Sequence, residues 1–189
     1  MKFLIFTLLF VAVVRPCLTA GTINVVHLGP TDVMKFEITA GDATQDFTLS
    51  HGADTGPFML PEKPVTIKCF GDEIPRLEVP LSKDPRVALL IPGKKGFEWS
   101  LQTMKPSPEK WAFRIVNLSD GPAEVKSTEA TFKIPGGGET SVEVSEKAHL
   151  NLQMGDAVNL TYEGIEPRGV VAFIYRDDKQ WRAILLPDR

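Results

Sequence analysis

Two stretches of this sequence, ninety residues apart, carry one pattern. Asn24-Val-Val-His-Leu-Gly-Pro30 and Arg114-Ile-Val-Asn-Leu-Ser-Asp120 both place a β-branched pair, a polar residue, a leucine and then a turn. Each half also ends on an apolar strand, a polar turn and a strand that bears Trp99 or Trp181, which are 82 residues apart. An internal repeat constrains the fold more than any single motif. The alternative is a chance match between generic β patterns. If the match is real, the second copy is eight residues shorter in its middle.

Short apolar runs bounded by Gly, Pro and Asp recur along the chain, and no segment keeps a helical period over three turns. Such runs at spacings of roughly 8–12 residues indicate a β-sandwich or barrel. The predicted strands are residues 22–28, 34–39, 45–50, 64–71, 77–81, 86–91 and 97–104 in the first half, and 111–118, 123–127, 131–134, 140–144, 149–153, 157–162, 169–175 and 180–186 in the second. The continuous apolar runs 87–91 and 170–174 predict central strands buried on both faces.

We therefore expect an all-β protein of two tandem immunoglobulin-like antiparallel β-sandwich domains related by an internal repeat. The predicted boundaries are residues 21–104 for the first domain, 105–110 for a linker and 111–189 for the second domain. The linker contains two prolines within four residues, which a central strand does not accommodate.

Residues 1–20 have the pattern of a secretory signal peptide cleaved after Ala20. Lys2 precedes a twelve-residue apolar run, which as a helix covers about 18 Å against the roughly 30 Å of a bilayer core. The alternative is a retained signal-anchor. Cleavage predicts an exported protein, whether periplasmic, cell-surface or secreted, with no transmembrane segment.

Charge and cysteine content exclude several classes of protein. The net charge is −3, and loss of Lys2 and Arg15 on cleavage makes it −5, which argues against a nucleic-acid partner. Cleavage also removes Cys17, so Cys69 stands alone and no internal disulfide is expected. The alternation of residues 65–70 predicts that Cys69 is a small buried hydrophobe.

The stretch Val25-Val-His-Leu-Gly-Pro-Thr31 resembles the opening signature of a bacterial secreted family of unknown function. Domains of that family begin with a hydrophobic pair, His or Asn, a short residue, Pro and Asp. They often occur in tandem and are β-sandwiches. The resemblance covers the start of each half, and the second copy has its proline two residues later, at Pro122. It implies an exported envelope or adhesin-like module and supplies no catalytic residues.

Histidine and methionine residues in the first half raise the question of a metal. His27, His51, Met34 and Met59 fall within 33 residues, and imidazole and thioether ligands suit copper. Their spacing matches no compact ligand motif. Because His27 corresponds to Asn117, a second hypothesis is that His27 is a hydrogen-bonding residue of the turn after the first strand.

Other motifs favour structural interpretations. The glycine run at residues 136–138 lacks a following Lys-Ser/Thr, so it predicts a hairpin loop with positive-φ glycines rather than a phosphate-binding loop. Ser50, His51 and Asp54 come without a nucleophile elbow, so hydrolase activity is disfavoured. The pair Asp177-Asp178 is expected to form a hairpin turn.

Two further motifs leave an alternative open. Asn117 and Asn159 each begin a glycosylation acceptor pattern, and Asn117, close to a strand end, could be accessible in a eukaryotic host. In a bacterial host both patterns are chance. Trp99, Trp111, Trp181 and Tyr175 are expected to pack in cores or between domains, the alternative being an exposed platform for carbohydrate.

These observations predict a non-catalytic binding, scaffold or assembly protein of the cell envelope or extracellular space, whose partner is another protein or an envelope component. No catalytic residue, cofactor or metal ligand is assigned. The alternative is a periplasmic copper-carrying or enzyme-like protein that uses His27 and His51.

Overall fold

The structure, a computed structural model, describes residues 21–29, 31–60, 62–70, 74–94, 96–105, 112–126, 130–143, 150–154, 158–162, 170–178 and 180–187. The predicted signal peptide, nearly all of the linker, Trp111 and His149 lie outside these ranges. The described residues form an all-β, sandwich-like fold of sixteen strands with no helix.

Every predicted strand is present, with its ends shifted by at most two residues. The first half contains β1 (Thr22–His27), β2 (Val33–Ala40), β3 (Ala43–Ser50), β4 (Phe58–Met59), β5 (Val65–Cys69), β6 (Leu77–Val79), β7 (Arg86–Gly93) and β8 (Gly96–Thr103). The second contains β9 (Ala112–Asn117), β10 (Ala123–Lys126), β11 (Thr131–Ile134), β12 (Glu139–Glu143), β13 (Leu150–Met154), β14 (Val158–Tyr162), β15 (Val170–Asp177) and β16 (Gln180–Pro187). The sequence pattern missed β4, which is two residues long.

The strands form four sheets of four. In the first half the orders are β4-β1-β7-β8 and β3-β2-β5-β6. In the second half they are β12-β9-β15-β16 and β11-β10-β13-β14. The two halves have the same strand order: each strand of the first half corresponds to the strand numbered eight higher in the second half.

The expectation of purely antiparallel sheets is wrong for two strand pairs. β1 lies parallel to β7, and β9 lies parallel to β15. Parallel neighbours need a long connection, which is usually a helix. Here the intervening strands of the same half provide that connection, so the pairing occurs without a crossover helix.

Three apolar clusters hold the sheets together. Core 1 lies between the two sheets of the first half and contains Ile23, Val25, Met34, Phe36, Ile38, Leu49, Leu60, Val65, Ile67, Cys69, Val79, Ala88 and Leu90. Core 2 occupies the same place in the second half and contains Phe113, Ile115, Ala123, Val125, Ile134, Val142, Met154, Ala172 and Ile174. The junction cluster joins the halves and contains Val26, Leu28, Val87, Leu89, Ile91, Met104, Val116, Val171, Phe173, Tyr175 and Leu186.

The central strands β7 and β15 are buried on both faces, as their apolar runs predicted. In β7, Ala88 and Leu90 point into core 1, while Val87, Leu89 and Ile91 point into the junction cluster. Because successive strand residues face opposite sides, a strand packed on both sides has to be apolar at every position. The sheet β4-β1-β7-β8 thus packs against its own half and against the other half.

Hairpin register corrects the expected match of Trp99 with Trp181. The closing pairs of the two hairpins are Gly93 with Gly96 and Asp177 with Gln180. Counted from these pairs, Trp181 occupies the position of Phe97. The offset at this end is therefore 84, the separation of Gly96 and Gln180, so the second half is shorter by six residues rather than eight.

The glycine run at residues 136–138 is not a hairpin loop, contrary to the prediction. β11 pairs with β10 and β12 pairs with β9, so the run carries the chain from one sheet to the other. Gly137 has the expected positive φ, of 68°. A Cβ on Gly136 would lie 2.2 Å from the carbonyl oxygen of Asp120, so this crossing needs glycine for close backbone approach.

Candidate functional site

His27 is a buried hydrogen-bonding residue at the end of β1, as the turn hypothesis predicted. The Gly29 N–H donates to Nδ1 at 3.2 Å, so this nitrogen carries no proton and Nε2–H donates to the Thr31 carbonyl at 2.8 Å. Burial lowers the pKa of His27, the bond to Thr31 raises it in part, and the charge of His51 lowers it further. The neutral imidazole therefore links two backbone groups of the turn that follows β1 by hydrogen bonds.

Asn117 has the corresponding place and contacts in the second half. Its Oδ1 accepts from the Ser119 N–H at 3.0 Å, as Nδ1 of His27 does from the residue two positions on. Its Nδ2 donates to the carbonyls of Gly121, Ile134 and Pro135. The buried amide thus ties the turn after β9 to the start of the glycine run.

The expectation that Asn117 is accessible for glycosylation is wrong. The residue is 0% exposed and its Nδ2, the atom that a glycan would modify, lies among three carbonyl acceptors. The Asn159 side chain lies outside the described part of the structure.

The four residues of the copper hypothesis do not form a ligand set. The rings of His27 and His51 lie 5.8 Å apart between centroids, but both nitrogens of His27 are engaged. Nδ1 of His51 bonds the Gly29 carbonyl at 3.1 Å. Met34 is buried in core 1, whereas Met59 is 60% exposed on β4. In the ranges that the structure describes, no group of three or more His, Cys, Asp or Glu residues is placed to hold a metal.

The candidate hydrolase residues have structural contacts instead. The Asp54 carboxylate accepts the Gly56 N–H at 2.6 Å, and His51 bonds the Gly29 carbonyl. Asp178 lies in the β15–β16 turn with a positive φ of 54°, which agrees with the predicted hairpin. The neighbouring Asp177 lies 3.8 Å from Nε of Arg182.

Trp99, Trp181 and Tyr175, the members of the aromatic set that the structure describes, are dispersed, so these three form no common platform. Trp99 packs on core 1, with its indole N–H donating to the Pro75 carbonyl at 2.9 Å. Trp181 packs on core 2, and Tyr175 is buried in the junction cluster. The expectation of core and junction packing is confirmed for these three residues.

Cys69 is a buried free thiol in core 1, as predicted. Burial raises the pKa of this thiol, which disfavours the reactive thiolate.

A cleft of about 560 Å³ opens where the two halves meet. Three turns line it: the β7–β8 turn of the first half, and the turn after β9 and the β15–β16 turn of the second. Apolar surface comes from Phe97, Leu118 and Tyr175, and charges of both signs surround it. We call this feature the junction cleft.

An ion pair and a cation–π contact lie at the walls of the junction cleft. Lys94 of the first half lies 3.1 Å from Asp120 of the second, and both side chains are largely exposed. The Arg176 guanidinium lies over the Trp181 ring at 5.7 Å. Burial raises the pKa of Tyr175, and the charge of Asp177 raises it further, so its hydroxyl is a neutral hydrogen-bonding group.

Arg114 connects the halves below the cleft. It is a buried cation, and its guanidinium donates to the Thr103 carbonyl of β8 at 3.3 Å and to the Glu139 carboxylate. The local sequence pattern did not reveal this role or the junction cleft, because both join segments that are distant along the chain. The sequence does show matching polar turns after β7 and β15, and these two turns line the junction cleft.

Comparisons with known proteins give no family for this chain: no family model matches it, and no curated protein matches it in sequence. Among the described residues, the structure contains no helix with the length and apolar character needed to cross a membrane.

Proposed function

We propose that this protein is exported and acts without catalysis, as a binding, scaffold or assembly part of the cell envelope or extracellular space. Its partner is another protein or an envelope component. The junction cleft is the observation that carries this proposal. Ligand sites commonly have volumes of about 300–1,000 Å³ and lie between domains. The cleft has this size and place, with apolar side chains between charges of both signs.

The proposal includes two tandem immunoglobulin-like domains that arose as an internal repeat. The equal strand orders support it, as do side chains at matching positions of the cores. Ile23 and Val25 correspond to Phe113 and Ile115, which all face a core. The matching hydrogen bonds of His27 and Asn117 give the same offset of 90 residues. Loops at one end of such sandwiches are a common place for binding residues, because the sheets hold them rigidly.

The contacts of the histidines support a role without metal or catalysis. Both ring nitrogens of His27 bind backbone groups, so a metal would have to displace two hydrogen bonds within a buried turn. Ser50 is a strand residue, paired with Val33. Asp54 stabilises a turn, because its carboxylate accepts the Gly56 N–H. The pattern of residues 1–20 supports export.

A site-specific photo-crosslinking experiment in the source cells tests the proposal. A photoreactive residue replaces Asp178 at the rim of the junction cleft, and a second variant carries it at Lys133, which is exposed on β11 outside the cleft. We expect the protein in an exported fraction and a discrete crosslinked partner with the Asp178 variant alone. A cytoplasmic protein, or equal crosslinking from both positions, would contradict the proposal.

A further inference from the structure

β3 is a long, exposed edge strand of the sheet β3-β2-β5-β6. It has one neighbour, β2, and six of its eight residues are exposed. The edge strands β4 and β6 have two and three residues, which limits pairing. The edge strand β8 is mostly half-buried, and the Thr103 carbonyl at its end already accepts a hydrogen bond from Arg114. β3 also lacks the Pro, Lys and Arg residues that commonly protect an edge.

The register shows which backbone groups of β3 point away from β2. The two-residue turn at Gly41 is closed by Ala40 and Ala43, so residues of β2 alternate from Ala40 between bonding β3 and bonding β5. The Lys35 carbonyl accepts the Phe70 N–H at 2.9 Å, which places Lys35 on the β5 side. Thr48, opposite Lys35, therefore turns its N–H and C=O outward, as do Thr44 and Asp46.

These outward groups match a second copy of the same strand. In an antiparallel pair centred on Phe47, Asp46 of each copy faces Thr48 of the other, so outward groups meet outward groups in both pairs. Beyond them Thr44 faces Ser50, whose carbonyl already accepts the Ala53 N–H at 2.9 Å, so the inferred backbone bonds lie at Asp46 and Thr48. A register shifted by one residue in each copy, centred on Asp46, would place two Asp46 carboxylates directly opposite each other, which is unfavourable. The only charged side chain of β3, Asp46, is already paired with Lys35 at 2.6 Å.

We infer that β3 binds β3 of a second copy of this chain, in antiparallel register about Phe47, to form one continuous eight-stranded sheet across the dimer. The half-buried Phe47 ring, which packs edge-on against Phe58, then lies beside its symmetry mate. The contact is isologous, so it closes after two copies. This inference does not depend on the junction cleft or on the proposed function.

Sedimentation velocity of the protein purified from the cells that produce it, from whichever compartment holds it, tests the inference. The concentrations run from about 1 to about 200 μM, which covers micromolar dissociation constants. We expect the wild-type mass to rise to twice the monomer mass. Thr48→Pro removes an outward N–H without removing a bond to β2, so this variant is expected to stay monomeric. Thr48→Ala, which keeps the N–H, is the matched control and is expected to dimerise as the wild type does.

A charge variant tests the register independently of any effect of proline on folding. Thr48→Asp places a carboxylate opposite Lys35 within the monomer, which favours the fold, and opposite Asp46 of the other copy, which opposes pairing. We expect it to be folded by circular dichroism and monomeric. The inference is overturned if the wild type stays monomeric at all concentrations, if it assembles beyond a dimer, or if the Pro and Asp variants dimerise as well as the wild type.

Discussion

Two buried polar side chains, His27 and Asn117, hold the turns at the ends of β1 and β9. Each accepts a backbone N–H from two residues ahead and donates to the carbonyl four residues ahead. Removing a buried side chain that bonds several backbone groups destabilises a protein, because each of those groups is then buried without a hydrogen-bond partner. An imidazole in one half and an amide in the other perform the same task.

The His27 imidazole makes the protein less stable in acid. Its pKa is lowered in the folded state, so the unfolded chain, with a value near 6.5, binds the proton more readily. The contribution of His27 is therefore complete above pH 6.5 and is lost as the pH falls through the folded pKa. Urea unfolding at about pH 7.5 and about pH 5 is expected to give a smaller loss of stability for His27→Asn than for the wild type. An equal loss in both proteins would contradict this assignment.

Removal of the Asn117 amide is expected to destabilise the second half. Asn117→Ala leaves the carbonyls of Ile134 and Pro135 without this donor, at an expected cost of about 2–4 kcal/mol. Asn24→Ala is the control, because Asn24 is partly exposed and accepts a single bond, from Thr55. Chemical denaturation measures both changes, and equal midpoints for the two variants would contradict the prediction.

Sequence reasoning found the role of His27 at this scale, because the Asn at the matching position showed that the site needs hydrogen bonding rather than a metal ligand. It misjudged the accessibility of Asn117, since nearness to a strand end says nothing about the loop that covers it.

Among the elements, β7 and β15 are the most constrained, because each has to be apolar on both faces. This continuous pattern is visible in the sequence, and so are the other long strands. β4 is not, since Phe58-Met59 is too short for an alternation to appear. The parallel pairing of β1 with β7 was also invisible, because local periodicity carries no information on which strand lies alongside.

The glycine run after β11 illustrates the same limit. Its composition predicted a tight loop, but only the strand partners show that it crosses between sheets. Its backbone packs against the turn after β9: Gly137 N–H donates to the Ser119 carbonyl and Asn117 N–H to the Gly138 carbonyl. The crossing is therefore part of the support for the junction cleft.

A methyl group at Gly136 is expected to disrupt this crossing. The Cβ would meet backbone atoms of Asp120 and Gly121, which have little room to move, so Gly136→Ala is expected to cost at least about 2 kcal/mol. Gly121→Ala is the matched control, because no atom lies within 4 Å of its Cβ position. Thermal unfolding of the two variants checks the difference, and equal melting temperatures would contradict it.

At the scale of the whole molecule, the junction cluster makes the two halves depend on each other. Both halves bury the outer faces of their central strands there, and Arg114 adds a hydrogen bond across the boundary, to the Thr103 carbonyl. The apolar runs of β7 and β15 predicted burial on both faces, and the packing of one half on the other provides the second cover. The junction cleft escaped prediction, since it is formed by turns of both halves that only this packing brings together.

Phe173 is the largest fully buried side chain of the junction cluster. Phe173→Ala is expected to lower the free energy of unfolding by about 3–5 kcal/mol, through lost burial and the cavity left behind. Phe70→Ala, at a half-exposed phenylalanine outside the cluster, is expected to cost less than about 1 kcal/mol. A chemical denaturation series on both variants gives these values, and similar costs would contradict the role of the cluster.

Amide hydrogen exchange on the wild-type protein tests most directly whether the two halves form one unit that fixes the cleft. If the halves form one unit, the slowest amides of β1, β7, β9 and β15 exchange with one common free energy, that of global unfolding. If the amides of one half exchange much faster than those of the other, the halves unfold separately. That result would contradict a cleft held in place by the junction cluster.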